Sequence, residues 1–469
     1  MRKLNSYGKY KDSGIPWLGD VPDHWNVTRT KNIFRLRTED SGTDHGLELL
    51  SIYTHVGVRP RRSLEQKGNK ASTTDNYWIV MKGDLIVNKL LAWMGAIGVS
   101  HYSGVTSPAY DILRSIQDIN SDYYHHLFRT KLYLQQFKAW SRGIMDMRLR
   151  LYFDEFGQIS SIVPPKNEQD QITRYLDWQT SKINKFIRAK KKIIALLKEQ
   201  KQNIINEAVT KGIYSNVKMK DSGVEWLGEI PAHWEVRKIK QVARFNPSKS
   251  ESIKDAPLSG MVTFLPMEKI STNGDITCDQ KLPLSQIIQG FTYFKRNDVV
   301  VAKITPCFEN GKGAFLNNLD TTFGFGTTEL FVLRPSEEIS GGYLRLVLSS
   351  TTFLRIGKQH MSGAAGQQRV QSSFIKIFEI GVPHIKEQNE IVSFIQNELK
   401  TIEHTISRAE RELELIQEYR TRLVSDIVTG KIDVRSIEIP DFEPLEDDWE
   451  VQDAEEESED ELITEGIEA

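Results

Sequence analysis

Arg59, Arg61, Arg62, Lys67 and Lys70 crowd into one short stretch of this chain, a density of cations suited to holding a polyanion. A second group follows an apolar run: Lys89, Trp93 and Met94 in KLLAWMG, matched later by Lys303, Thr305 and Cys307 in KITPC. A third sets Met147-Arg148-Leu149-Arg150 against Gln367-Gln368-Arg369. Ammonium and guanidinium groups meet phosphates, while amides, hydroxyls and guanidinium forks can address base edges. The run Lys190–Lys192 reads first as a solvated helix face, and alternatively as a further phosphate contact.

Bond-breaking chemistry finds no comparable set. Gly430-Lys431 is followed by Ile432 and lacks the upstream glycine of a phosphate loop, and GKGAFL (311–316) fails the dinucleotide spacing. There is no H-E-x-x-H and no nucleophile elbow. NPSK at 246–249 is not the Asn-Pro-Pro-aromatic stretch of an amino-methyltransferase. Cys278 and Cys307 stand alone, too few for a zinc site or a disulfide framework. His24 and His233 each sit between Pro and Trp in a repeated motif and read as scaffold; His125-His126 falls in a tyrosine-rich helical stretch.

What positions these groups is a duplication. KDSGIPWLGDVPDHWNV (11–27) returns as KDSGVEWLGEIPAHWEV (220–236), with eleven of seventeen positions identical. GDLIVNKL (83–90) parallels NDVVVAKI (297–304), and GVTSPAYDILR (104–114) parallels GFGTTELFVLR (324–334). Arg148 lines up with Arg369 and Phe153 with Phe374, and PPKNEQDQI (164–172) parallels PHIKEQNEI (383–391). A repeat this long is a domain, not a solenoid unit. Each copy runs from short strands with Gly and Pro turns into one long helix.

In the first helix, capped at Asn167, Ile183, Ile187, Lys190, Ile194, Leu197, Lys201, Ile204 and Ala208 keep an alternating four-three spacing. Ile402, Ile406, Ala409, Leu413, Ile416, Arg420, Leu423 and Ile427 repeat it. This heptad seam predicts that the two helices pair with each other; packing of each on its own domain is the alternative.

Apolar content of 39% and charged content of 26% are ordinary for a globular protein. No run reaches the roughly 20 apolar residues that span a bilayer, and the start lacks the apolar region of a secretory signal. A cytoplasmic location is expected. The net charge of −2 conceals segregation: residues 434–469 carry −15, leaving +13 on the body. The acidic tail predicts disorder, and the basic body a polyanion partner.

The doubled W-L-G-x-x-P-x-H-W, P-x-x-x-E-Q and V-T-x-x-I or V-T-G-K-I motifs resemble the specificity subunits of type I restriction-modification systems, over roughly residues 11–433. The resemblance implies an α+β fold with two pseudo-symmetric β-rich target recognition domains, separated by two long helices that pair as an antiparallel coiled coil. It divides the chain into recognition domain 1 (1–165), spacer helix 1 (166–213), recognition domain 2 (214–384), spacer helix 2 (385–433) and tail (434–469). Each domain would read half of an asymmetric bipartite duplex DNA target. Two methyltransferase subunits and the restriction subunits would join as partners and bind S-adenosylmethionine, ATP and Mg themselves, leaving this chain non-catalytic and without cofactor. The DNA-binding candidates are then Arg61, Arg62, Lys70, Lys89, Trp93, Arg148, Arg150, Lys303, Thr305, Gln368 and Arg369. Residues 167–210 as one helix would span about 65 Å, against ~34–36 Å for a DNA turn, so the half-sites should flank an unread gap. Rival readings are the specificity subunit of a system with methylation and cleavage fused in one partner, a coiled-coil scaffold that reads no DNA, and a stand-alone DNA enzyme.

Overall fold

A computed structural model of the 469-residue chain describes residues 5–43, 46–54, 57–61, 74–144, 148–253, 256–364 and 366–442. It contains two compact units, Met1–Lys190 with Glu412–Ala469, and Lys191–Arg411. The fold is mixed helix and sheet, with two long helices, Lys166–Lys211 and Ile385–Val428, each contributing to both units. Among the described residues no helix is long and apolar enough to cross a membrane.

The first unit is built on an antiparallel sheet in the order Phe34–Arg37, Tyr110–Ser115, Leu85–Asn88, Ile97–Val99. All four residues of Leu85–Asn88 are buried, as its unbroken apolar run requires of a central strand. Phe34, Leu85, Val87, Tyr123, Tyr124, Phe128 and Phe137 share one core with Ile172, Leu176 and Ile183 of the first long helix and Leu423 and Ile427 of the second. Arg114 forks onto the buried Asp84 through two bonds of 2.8 Å.

The second unit repeats this sheet as Ala243–Phe245, Leu330–Pro335, Val299–Ala302, Gly313–Phe315. Arg334 forks onto Asp298 at 2.7 Å twice. A second sheet, Lys281–Pro283, Met261–Leu265, Phe323–Gly326, Thr292–Lys295, contains a parallel pair between its two middle strands.

The first long helix starts one residue before the predicted cap. Glu168 N and Gln169 N both donate to Pro165 O, at 2.9 and 3.0 Å, so Asn167 lies inside the first turn of a helix that begins at Lys166. The motif prolines hold the chain extended up to that turn. Beyond the other ends, Gly212 and Gly430 take φ of 75° and 78°, the left-handed conformation that ends helices.

Every seam position is buried or half-buried. Ile183 and Ile194 are buried in the first helix, with Ile187, Leu197 and Ile204 half-buried; Ile406 and Leu423 are buried in the second, with Ile402, Leu413 and Ile416 half-buried. The two lysines that interrupt the first helix's seam meet carboxylates of the other helix. Lys190 Nζ reaches Glu412 at 2.6 Å in the first unit, and Lys201 Nζ reaches Glu403 at 2.6 Å in the second. Lys190 is therefore not part of a solvated tri-lysine face.

Candidate nucleic-acid interface

The repeated motifs converge on one contact per unit. The strand after His24-Trp25, Asn26–Arg29, pairs with Ser160–Val163, which leads directly into the first long helix. This places Glu168 beneath the fully buried Trp25: the indole Nε1 donates to Oε1 at 3.0 Å, His24 Nε2 lies 2.7 Å from Oε2, and the Tyr7 hydroxyl donates to Oε1. Burial and the Glu168 carboxylate push the Tyr7 phenol far above its ordinary range. In the second unit, Glu235–Lys238 pairs with Glu379–Val382. Trp234 Nε1 donates to Glu387 at 3.0 Å and His233 Nε2 lies 2.8 Å from its other oxygen.

The glutamines of the same motif act on the chain beside it. Gln169 accepts from Asn120 N at 2.8 Å and donates to Pro164 O at 2.8 Å. Gln388 accepts from Ser340 N at 2.7 Å and donates to Pro383 O at 2.8 Å. Asn120 and Ser340 cap the helices Ser121–Phe128 and Gly341–Val347. From these, Tyr123 donates to Val428 O at 2.8 Å and Tyr343 to Val209 O at 3.3 Å, so each ties down the last turn of a long helix. The glycine past that turn faces the motif tryptophan: a Cβ on Gly430 would lie 2.9 Å from Trp25, and one on Gly212 3.2 Å from Trp234. This is packing chemistry. Trp25, Trp234, His24 and His233 belong to the scaffold.

On this scaffold the candidate contact residues gather at the end of the central strand. In the second unit Val370 N donates to Lys303 O at 2.8 Å, Thr305 N to Gln368 O at 2.9 Å and Gln368 N to Thr305 Oγ1 at 3.0 Å. Lys303, Thr305, Gln368 and Arg369 therefore share one locus, where a two-residue ladder, Met361–Ser362 with Arg369–Val370, closes a hairpin. Arg369 is engaged by Glu329 through bonds of 3.0 and 2.9 Å, and this holds the Glu329 carboxyl below its ordinary range. Lys303 Nζ stands 5.5 Å over the Phe331 ring.

In the first unit Leu151 N donates to Lys89 O at 2.8 Å, and Arg142 and Arg150 exchange two bonds of 2.9 Å. The hairpin is the same, but its register differs from the one expected. Leu151 takes the place of Val370, so Arg150, not Arg148, corresponds to Arg369, and Phe153 does not correspond to Phe374. The flanking phenylalanines invited a match two residues out of step; the main-chain bonds decide it. Lys89 itself is committed: its Nζ donates to Pro108 O at 2.9 Å and lies 3.4 Å from Asp111. Burial pushes the Asp111 carboxyl up, with Lys89 opposing. Trp93 donates to Leu90 O at 3.0 Å beneath the Lys138 ammonium. Arg61 ends the Leu50–Tyr53 and Gly57–Pro60 pair, its N–H bonded to Leu49 O at 2.9 Å. Arg62, Lys67 and Lys70 lie outside the described residues. Among the described residues no group of histidine, cysteine and carboxylate side chains is placed to hold a metal ion.

Residues 231–414 match the family described as Type I restriction modification DNA specificity domain. The EcoAI specificity subunit of a type I restriction enzyme from Escherichia coli is 38% identical over 166 residues, 35% of this chain and 28% of that protein. The chain thus matches less than a third of that relative's length. The MjaVIII specificity subunit of Methanocaldococcus jannaschii is 23% identical over 447 residues, 89% of this chain and 95% of its own. Among solved structures, a chain from "Structural basis underlying complex assembly and conformational transition of the type I R-M system" superposes with a TM-score of 0.62 at 13% identity, covering 88% of this chain and 99% of that one. That likeness is one of fold.

Proposed function

We propose that this chain, a member of the type I restriction-modification specificity family, reads DNA sequence for a larger complex and breaks no bonds itself. Each unit reads one half of an asymmetric bipartite target in double-stranded DNA. Two methyltransferase subunits and the restriction subunits act on what has been read, and S-adenosylmethionine, ATP and Mg belong to them. The chain works in the cytoplasm, organised as recognition domain 1 (1–165), spacer helix (166–213), recognition domain 2 (214–384), spacer helix (385–433) and acidic tail (434–469).

One observation carries the reading. The same anchorage, Trp25 on Glu168 and Trp234 on Glu387, supports two hairpins whose exposed side chains differ. A common frame with unlike reading loops is what a reader of two unlike half-sites needs. The helices pair as an antiparallel coiled coil and set the unread gap. The pairs Lys190–Glu412, Lys198–Glu410 and Lys201–Glu403, whose partners run in opposite order along the chain, support this pairing.

The test is to co-express the chain with its methyltransferase partner and map methylated adenines across the host genome. An asymmetric two-part motif with a fixed gap is expected, and adding one heptad to both helices should lengthen the gap. A complex that assembles and methylates without any motif overturns the reading in favour of a scaffold.

A further inference from the structure

The described residues between Trp140 and Tyr152 in the first unit combine two properties that rarely share a surface. Ile144 is 99% exposed at the hairpin, and Trp140 and Tyr152, which flank its base, are each 42% exposed. Isolated exposed apolar side chains are commonplace, but three of them concentrate here within thirteen residues, and Met94 of the adjoining loop is exposed as well. The same segment carries Arg142, Arg148 and Arg150 against the single acid Asp146. Arg142 is held by Glu155. Arg148 and Arg150 are exposed and form no ion pair among the described residues.

The second unit has the same hairpin with a different tip. The main chain folds back tightly on a glycine in both: a Cβ on Gly143 would lie 2.4 Å from Arg148 O, and one on Gly363 2.9 Å from Gln367 O. The next residue is Ile144 in one and Ala364 in the other. Arg148 gives way to Gln367, and Arg369, the counterpart of Arg150, is tied to Glu329. Among the described residues, an exposed aliphatic side chain and cations without an ion pair thus occur together in the first unit's hairpin and not in the second's.

We infer that the first unit's hairpin is a wedge for duplex DNA: Ile144 inserts between base pairs of its half-site while Arg148 and Arg150 hold the phosphates on either side. The inference rests on the DNA-reading function proposed above. An aliphatic side chain pushed into a base step unstacks it, and the flanking cations supply the attraction that offsets the unstacking. A partner protein would also cover an apolar tip, but two guanidinium groups beside it that form no ion pair among the described residues favour a polyanion. The second hairpin has no such tip, so only one half-site is distorted.

The experiment uses the complex of the full chain with its methyltransferase partner, bound to duplexes carrying the mapped target with 2-aminopurine placed at successive positions of both halves. Brightening is expected at one step of one half, away from the methylated adenine. A methyltransferase that extrudes its target base brightens that adenine separately, giving an internal control. In Ile144→Ala the wedge signal falls to that of free duplex, the control signal stays, and binding weakens about tenfold, the loss of one buried aliphatic contact. Arg148→Gln and Arg150→Gln each lower the salt slope of binding by about one. A wild-type complex that prefers its target but shows no second bright step, or an Ile144→Ala complex that keeps it, overturns the wedge while DNA reading stands. Loss of methyltransferase association in Ile144→Ala, with DNA signals unchanged, overturns it in favour of a protein-docking tip. Absence of any target preference in the wild type overturns both.

Discussion

The indole of Trp25 and the carboxylate of Glu168 lie 143 positions apart in the chain and meet at 3.0 Å in the core of the first unit. Trp25 is fully buried and the Glu168 side chain is 3% exposed, so the charge is kept inside by three donors. Removing it leaves an indole N–H and a phenol without their acceptor. Glu168→Ala should cost about 3 kcal/mol of the first unit's stability. Glu387→Ala should cost less, about 1–2 kcal/mol, because Glu387 is 12% exposed and His233 about half. Hydrogen exchange resolved by segment measures both. Equal losses would show that solvent access does not grade the contact.

The pair Lys201–Glu403 places a cation in an apolar seam, with Lys201 12% and Glu403 40% exposed. A lone charge at such a position costs stability but selects one register and one partner orientation. Lys201→Glu alone should lose about 1–2 kcal/mol through like charges at close range, and Lys201→Glu with Glu403→Lys should recover most of it. Urea unfolding of the four proteins closes the cycle. No recovery would mean that Lys201 acts through Asn273, whose Oδ1 it also reaches at 2.7 Å.

The duplication, the two long helices and their seam were legible because they rest on identity and on period. Contacts between distant segments were not. Trp25, His24 and Glu168 stood in plain view as two separate motifs, and nothing periodic links residues so far apart. Asp84 with Arg114, and Asp298 with Arg334, lay inside runs already recognised as parallel, yet alternation marks only their apolar neighbours. Hairpin register was misread because its ladders are one or two residues long and leave no pattern of side chains. Lys89 looked free because sequence shows a charge and hides its acceptor; Pro108 and Asp111 claim it.

His125 gives the first unit a pH dependence of definite sign. It is half-buried against Gly98 and accepts from Val99 N at 3.3 Å. Burial first, then the charges of Arg129, His126, His101 and Arg59, lower its pKa well below the ordinary 6.5. The native state holds it neutral, whereas the unfolded chain takes up a proton below about pH 6.5. Stability is therefore full above 6.5 and declines as pH falls towards the native value, by at most about 1.4 kcal/mol per pH unit. His125→Gln should flatten the decline between pH 6.5 and 5. A wild-type slope that persists unchanged in the variant would place the dependence elsewhere.

Arg369 and Glu329 present a different case, because their pairing competes with the proposed DNA contact. The guanidinium is bound through two nitrogens to one carboxylate, so the pair contributes little net field to an approaching phosphate. Were Arg369 to stay on Glu329, replacing both residues by Gln would leave DNA affinity near that of the wild type. Were it to swing onto a phosphate, the double variant would bind more weakly and its salt slope would fall by about one. The bidentate geometry favours the first outcome. It follows that Glu329→Gln alone should strengthen non-specific duplex binding several-fold and steepen the salt slope by about one, since it releases a cation at the same locus as Thr305 and Gln368. Arg369→Gln should do the reverse, exposing a carboxylate to the backbone. Salt titrations of the three variants with a random-sequence duplex separate the cases, and an unchanged slope in Glu329→Gln would remove this edge of the second unit from the DNA interface.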